Sequence, residues 1–267
     1  MSGTLNNATI RTGRSFDLGK MNLRQLWVAY LTYPTILLYF ALVIASAALA
    51  TWFFAGWGPT LISIVAVILV YPVVWYLLHR YVLHGRTLYK MKWTAALWKR
   101  IHFDHHQDPH LLDVLFGAPV TTLPTIGVIT LPIGYLIGGW GAAATAFGTG
   151  VAITCIYEFF HCIQHLNYKP RAAWIQRMKA RHVLHHFHDE DGNFGITSFV
   201  VDRVFGSYYL DAKARPRSPT VFNLGYDVKE AKRFPWVMDL TGSPPRDRPD
   251  GARPEAKLMR DNTRHAA

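Results

Sequence analysis

Ten of the 13 histidines fall in four short clusters, and their spacing is suited to binding metal ions. The clusters are His79/His84, His102/His105/His106, His161/His165 and His182/His185/His186. Residues three and four apart lie on one face of a helix, so the last three clusters would each present their imidazoles together. Neutral imidazole is the most common metal ligand and suits iron, zinc and copper. Because one ion takes about four to six ligands, ten histidines predict two metal ions.

The first cluster departs from helical spacing. His79 and His84 are five residues apart, which places them about 140° apart around a regular helix. We therefore expect a helix end or a local unwinding to bring the two rings together. The other histidines, His110, His188 and His265, are interpreted as packed or interfacial residues, and the first two could lie next to ligands.

Two long stretches without charged residues must position these clusters. No Lys, Arg, Asp or Glu occurs in residues 25–79 or 114–157, and each stretch has a glycine-rich break near its middle, at 56–59 and 138–141. At 1.5 Å rise per residue, each is long enough to cross a hydrocarbon core of about 30 Å twice. The pattern predicts an all-α integral membrane protein with four transmembrane helices in two hairpins. Their expected bounds are near 32–55, 60–83, 115–138 and 141–165.

The basic residues predict the orientation of these helices. All 28 Lys and Arg lie outside the two uncharged stretches, and the hairpin turns carry none. By the positive-inside rule, the N-terminus, the middle loop and the C-terminal region are cytoplasmic. The histidine clusters would then meet in a helical cap at the cytoplasmic face. The formal charge of +11 is explained by this topology and by contact with anionic lipid, so no nucleic-acid partner is expected.

The chain is predicted to divide into three parts. Residues 1–26 are polar and are expected to form a flexible cytoplasmic N-terminus, whereas 27–210 form the membrane-embedded domain with the metal site. Residues 211–267 are rich in Pro and Arg and are expected to form a cytoplasmic tail that is partly disordered. Within that tail, the aromatic segment 222–240 could lie against the membrane or against the cytoplasmic body.

The histidine pattern resembles that of the membrane-bound fatty acid hydroxylase and sterol desaturase superfamily. Its ordered motifs are His79-x4-His84, His102-x2-His105-His106, His161-x3-His165 and His182-x2-His185-His186. The runs MKARHVLHHF (178–187) and NFGITSFVVDRVFG (193–206) are most similar to fatty acid 2-hydroxylases that act on sphingolipid acyl chains. The resemblance covers roughly residues 79–209. It implies a four-helix membrane fold with a cytoplasmic histidine-rich domain, whose centre of two iron ions uses dioxygen.

The resemblance also bears on partners and location. Family members with a fused electron donor carry a haem domain of the cytochrome b type, for which residues 1–26 are too short. Electrons are therefore expected from a separate protein. Imidazoles alone do not distinguish iron from zinc, so zinc could occupy the site in a purified form. With no fused donor and no evident retrieval signal at the C-terminus, a bacterial inner membrane is favoured over the endoplasmic reticulum.

Four further residues are candidates to support the ligands. Glu158 lies three residues before His161 on the same helical face, so its carboxylate could accept a ring N–H and orient that ligand. The alternative is an interfacial glutamate that faces water. Tyr157 is the neighbour of Glu158 in the sequence that precedes the third histidine cluster, where the chain resembles the family. Asp202 could pair with a ligand or an arginine, and Asn193 is interpreted first as a turn residue and second as a support for the ligands.

The chemistry expected of such a centre is oxidation of an unactivated carbon. Alkyl C–H bonds are neither acidic nor electrophilic, so they require a metal-based oxidant. We expect a dioxygen-dependent lipid hydroxylase acting near the head group, at the 2-position of an acyl chain. Desaturation, or a sterol or carotenoid substrate, stays open for the same site. Three other classes of protein fit the sequence less well. A metal transporter would hold its ligands near the midplane of the spans, whereas these histidines lie at the ends of the spans, and a membrane haem protein would not need ten histidines. A zinc hydrolase would need a general base beside the clusters, and none comparable to the glutamate of the zinc proteases is found.

Overall fold

The computed structural model describes residues 16–242, and the regular secondary structure in this range is helical. One isolated β-bridge joins Asp17 to Leu111. The all-α prediction is therefore confirmed for this part of the chain. The first 15 residues of the predicted N-terminal segment, the predicted tail beyond residue 242, and His265 with it, lie outside the described range.

The helices are numbered here in chain order. They are α1 Leu23–Thr32, α2 Pro34–Trp52, α3 Trp57–Leu78, α4 Lys92–Trp98, α5 Asp104–Gln107, α6 Leu112–Leu115, α7 Pro119–His165, α8 Ala173–Phe187, α9 Val200–Val204, α10 Val228–Arg233 and α11 Trp236–Thr241. Short 3₁₀ turns cover Leu18–Lys20 and Leu88–Lys90, and π-helical turns cover His79–Leu83 and Lys99–Phe103.

Among the described residues, three helices are long and apolar enough to cross a membrane, namely α2, α3 and α7. Large apolar side chains are exposed on their surfaces, for example Ile44, Leu69 and Val128. A helix that is apolar all round needs an apolar environment on every side, and a soluble surface does not provide one. These three helices therefore indicate association with a membrane.

A break at Gly138 and Gly139 divides α7 into two parts. Both glycines have non-helical backbone angles, and Gly139 has φ +67°, which glycine adopts without strain. A Cβ at Gly134 would lie only 2.6 Å from Cα of Ala143. Residues nine apart on a straight helix would be about 13 Å apart, so residues 119–137 and 140–165 run antiparallel. The glycine-rich break predicted from the sequence is confirmed.

The turn between α2 and α3 meets the break in α7 at one end of the helices. Close packing there leaves no space for a side chain at Gly138 or Gly141. A Cβ at Gly138 would lie 2.6 Å from Cβ of Pro59, and one at Gly141 would collide with the carbonyl of Phe53. The C-terminal ends of α3 and α7, which carry histidines, consequently lie at the opposite end.

Short helices form a further layer at the histidine-bearing end. Trp98 of α4 is fully buried in an apolar cluster with Tyr89, Tyr226 and Val237. The aromatic segment 222–240, for which the sequence left two locations open, packs in this layer. Residues 220–226 are buried throughout.

The N-terminal part of the described chain packs against α7. Asn22 caps α1, because its side chain accepts from the amide of Gln25 while the Gln25 side chain accepts from the amide of Asn22. Leu18 and Leu26 are fully buried in a core cluster that includes residues of α7. Residues 18–26, at the end of the predicted N-terminal segment, thus contribute to the core around α7.

Candidate metal centre

The structure brings the ten clustered histidines together, and all ten are buried. Their ring nitrogens form three groups, and the ligand atoms of each group lie within 4.8 Å of one another. The groups are His105/His161/His165/His182/His186, His79/His84/His102/His185 and His106/His185/His186. The third group shares one residue with each of the others. This arrangement fits two neighbouring metal ions.

Two π-helical turns adjust the helices that carry the first two clusters. In the turn His79–Leu83, the amide of His84 donates to the carbonyl of His79 at 3.0 Å, a bond across five residues. The local unwinding expected from the spacing of these histidines is confirmed. A second turn, Lys99–Phe103, places the amide of Asp104 on the carbonyl of Lys99 and was not anticipated. Such single π turns are frequent at functional sites.

Three imidazoles of the four-histidine group meet through their Nε2 atoms. The Nε2–Nε2 distances are 3.1 Å for His79 and His102, 3.2 Å for His79 and His84, and 2.8 Å for His84 and His102. A neutral ring nitrogen either donates or accepts, so a triangle of three cannot be fully paired by hydrogen bonds. Nitrogens at about 2.0–2.1 Å from one ion are about 2.9–3.4 Å apart at octahedral or tetrahedral angles. The triangle therefore fits a shared cation.

The five-histidine group has the same character. The Nε2 atom of His182 lies 3.0 Å from that of His161 and 2.8 Å from that of His165. The Nε2 atom of His161 in turn lies 3.1 Å from that of His105. Nε2 of His182 faces two other nitrogens, and one proton cannot form hydrogen bonds to both of them. If all of these nitrogens instead directed their lone pairs at one metal ion, each lone pair would have a partner.

Backbone carbonyls hold three of the rings in the tautomer that metal binding requires. Nδ1 of His79 lies 2.5 Å from the carbonyl oxygen of Phe194, and Nδ1 of His185 lies 2.8 Å from that of Gly192. Nδ1 of His106 lies 3.1 Å from the carbonyl oxygen of Val221. A carbonyl only accepts, so each Nδ1 carries the proton and each Nε2 keeps its lone pair for a metal.

Burial keeps these imidazoles neutral. It lowers the pKa of His106 to about 3 and the pKa values of His182 and His185 well below their usual range, with neighbouring histidines adding to the shift of the latter two. The Nε2 atoms of His106 and His185, and both ring nitrogens of His186, have no hydrogen-bond partner within residues 16–242. Buried polar atoms without partners are costly, so these neutral, unpaired nitrogens fit a metal site.

A groove leads from the membrane-level helices toward the histidines. Its first part is an open space of about 340 Å³ between α3 and residues 119–137, with mostly apolar lining. A second part of about 280 Å³ shares Tyr71 and Trp75 with the first and reaches Tyr157 and the loop 194–198. The ring of Tyr157 stacks on Trp75 and lies 6.2 Å from the ring of His161. An extended apolar molecule could therefore lie in the groove with one end near the histidines.

Glu158 lies beside the centre, at 5% exposure, so it does not face water. Its Oε2 is 4.0 Å from Nδ1 of His161, which is too long for the hydrogen bond expected from the sequence. Its Oε1 accepts from the amide of Gly117 at 3.2 Å. The carboxylate thus faces a candidate ligand while it anchors the chain before α7.

Asp202 and Asn193 contact the backbone of the loop beside two candidate ligands. Asp202 is fully buried and accepts from the amides of Phe194 and Gly195, both at 2.8 Å. Asn193 has φ +55° and exchanges two hydrogen bonds of 3.0 Å with the backbone of Tyr209. Both side chains therefore fix the loop whose carbonyls contact His79 and His185.

The outer partners of the ligands include residues that the sequence did not indicate. The carbonyls of Gly192, Phe194 and Val221 contact the ligands, yet a main-chain acceptor has no residue type that would reveal it. His110, interpreted from the sequence as a packed or interfacial residue that could lie next to ligands, has Nδ1 at 2.8 Å from the carbonyl oxygen of His165. His188 places Nε2 at 2.8 Å from the carbonyl oxygen of Arg215, rather than from that of a clustered histidine.

The sequence and the fold are similar to those of known hydroxylases. The family model for fatty acid hydroxylases matches residues 64–207. A dihydroceramide fatty acyl 2-hydroxylase from Arabidopsis thaliana is 31% identical, over 56% of this chain and 63% of the relative's own length. A fatty acid 2-hydroxylase from Macaca fascicularis is 28% identical, over 52% of this chain and 37% of the relative's own length. The chain thus spans less than two thirds of these relatives. The hydroxylase domain visible in full-length scs7p has a similar fold, with a TM-score of 0.54 and 22% identity over 75% of this chain and 71% of that one.

Proposed function

Because the chain belongs to the fatty acid hydroxylase family, we propose that it is an oxidoreductase that hydroxylates the acyl chain of a membrane lipid. The observation that carries this proposal is the convergence of ten buried, neutral histidines on two neighbouring ligand groups. The names of the similar 2-hydroxylases support the 2-position of a fatty acyl chain as the site of reaction.

The two ligand groups would hold two metal ions, which we propose to be iron. His105, His161, His165, His182 and His186 would bind one ion, and His79, His84, His102 and His185 the other, with His106 beside both groups. Bound iron would supply the activation of dioxygen that oxidation of an alkyl C–H bond requires. The protein's own part is to keep the imidazoles neutral, fix their tautomers and exclude bulk water from the centre.

The groove supports a lipid substrate with its tail in the membrane. Its apolar part lies between the membrane-level helices, and its other part ends at the loop 194–198 near the histidines. A lipid bound with its acyl chain along this path would have its head group near the short-helix layer. Carbons close to the head group would then lie nearest the metal centre, as 2-hydroxylation requires.

The same geometry supports a proposal for the membrane topology. The antiparallel halves of α7, together with α2 and α3, would cross the bilayer four times, with the centre in a cytoplasmic cap. The electrons would come from a separate carrier protein at that face, and we favour a bacterial inner membrane as the location.

Lipid profiling of cells that express the protein tests the function. The wild-type protein, supplied with a competent reductase, should raise 2-hydroxy fatty acids whose new oxygen derives from labelled dioxygen. His185→Ala should abolish the product, whereas His265→Ala, outside the four clusters, should not. A product lighter by two hydrogens would identify a desaturase. An unchanged lipid profile, or activity that survives His185→Ala, would contradict the proposal.

A further inference from the structure

The segment 218–223 reaches the metal centre from a distant part of the sequence. The carbonyl of Val221 is the acceptor for Nδ1 of His106, at 3.1 Å. Next to it, the side-chain amide of Gln107 donates to the carbonyl of Phe222 and, at 3.1 Å, to the Asn223 side chain. The orientation of the His106 ring therefore depends on where this segment is held.

A buried carboxylate holds the segment from the other side. Glu190 is 1% exposed, and its Oε1 accepts from the hydroxyl of Thr220 at 2.6 Å. The amide of Ser218 donates to the carbonyl of His188 at 2.8 Å, which adds a second attachment. Glu190 lies four residues after His186, beyond the end of α8. Glu190 thus connects α8, which carries the last histidine cluster, to the segment 218–223, which contacts His106.

Burying a carboxylate is an expensive way to fasten a segment. A charged group removed from water costs several kcal/mol unless its partners compensate, and an apolar contact would stabilise the same packing at lower cost. Thr220 is directly followed by Val221, so its hydroxyl bond to Glu190 holds the chain one residue before the carbonyl that contacts His106. Because that carbonyl holds Nδ1 of His106, it also fixes the position of Nε2 on the same ring, which faces His185 and His186.

We propose that Glu190 and Thr220 are positioning residues that set His106 for metal binding. Through the carbonyl of Val221 they keep the proton on Nδ1 of His106 and its Nε2 lone pair directed at the centre. The inference rests on the proposed two-metal centre. It adds to that centre a contact between two side chains, neither of which touches a ligand directly.

Metal titration of the purified full chain tests the proposal. Thr220→Val keeps the shape of the side chain but removes the hydroxyl, and we expect it to weaken binding of one of two added Fe²⁺ ions by about 10–100-fold, the usual effect of losing a support of a ligand. Thr220→Ser keeps the hydroxyl and should bind both ions as the wild type does. Thr145→Val, which removes a hydroxyl about 24 Å along α7 from His161, is the matched control and should have no effect.

A double variant separates positioning from stability. In Glu190→Leu/Thr220→Val the carboxylate and the Thr220 hydroxyl are both gone, so no buried carboxylate is left unpaired. The Ser218 hydroxyl, which also bonds Glu190, keeps its 3.2 Å contact with the amide of residue 220. The melting temperature of the metal-free protein should therefore approach that of the wild type. Metal affinity should stay reduced. Full metal affinity in the double variant or in Thr220→Val would overturn the proposal, as would a loss of affinity in Thr220→Ser equal to that in Thr220→Val. If the wild type bound no metal, the proposed function itself would fail, which is a distinguishable result.

Discussion

Replacing Asp202 with asparagine should destabilise the loop that supports His79 and His185. The carboxylate accepts three hydrogen bonds of 2.8 Å, from the amides of Phe194 and Gly195 and from the hydroxyl of Ser207. The two amides bind different oxygens of Asp202. Whichever way the asparagine amide is turned, its NH₂ group will therefore face one backbone N–H.

The magnitude follows from these contacts. One hydrogen bond to a charged group, which contributes about 1.5–3 kcal/mol, is lost, and the remaining two become bonds between neutral groups. We expect a loss of about 2–4 kcal/mol in the free energy of unfolding. For a chain of this size, each kcal/mol lowers the melting temperature by about 2–4 °C, so the expected shift is roughly 5–15 °C. Because Phe194 supports His79, metal affinity should fall about 10–100-fold as well.

Thermal unfolding and metal titration of the detergent-solubilised variant measure both effects. Asp211→Asn is the matched control, since Asp211 also accepts from a backbone amide at 2.8 Å but is exposed. Its free energy of unfolding should change by less than about 0.5 kcal/mol. Equal melting temperatures for the two variants would refute the account of Asp202 as a buried support of the loop.

Three further perturbations test the helices, the groove and the metals. Gly134→Leu should lower the melting temperature by several degrees, because its Cβ would meet Cα of Ala143 at 2.6 Å. Gly58→Leu is the control and should lower it less, since a Cβ at Gly58 has open space around it. Equal shifts in melting temperature for the two variants would argue against the antiparallel packing within α7. Ile133→Trp should fill part of the groove and shift hydroxylated products toward shorter acyl chains, as seen by mass spectrometry. Leu136→Trp, at an exposed position, should leave the product distribution unchanged, and an identical distribution for both would exclude the groove as the acyl site. Removing metal with a chelator should lower the melting temperature, since a ligand at a thousand times its dissociation constant adds about 4 kcal/mol of stability. A melting temperature indifferent to chelation would speak against a resident metal.

Much of the architecture could be predicted because membrane insertion leaves strong signals. The uncharged stretches located α2, α3 and α7, and the glycines at 138–141 located the break. The distribution of basic residues predicted that the histidine clusters would meet, and the spacing of His79 and His84 predicted the unwound turn. The π turn at Lys99–Phe103 could not be predicted, because the spacing of His102, His105 and His106 already suits a regular helix.

The parts that escaped prediction depend on contacts between distant segments. Glu190 looks like one acid in a charged run, and its burial depends on Thr220, 30 residues away. The segment 218–223 reads as the start of a proline-rich tail, yet its backbone contacts His106. Glu158 was identified as a neighbour of His161, but its bond to the amide of Gly117 requires the packing of the chain before α7 against the end of that helix.

The use of main-chain oxygens at Phe194 and Val221 has a consequence for how such a protein can diverge. A carbonyl persists through any substitution that preserves the path of the chain, so drift at these two positions would leave the imidazole partners in place. Insertions or deletions of a single residue in either loop would be far more damaging, since they would slide a different peptide group into register with His79 or His106.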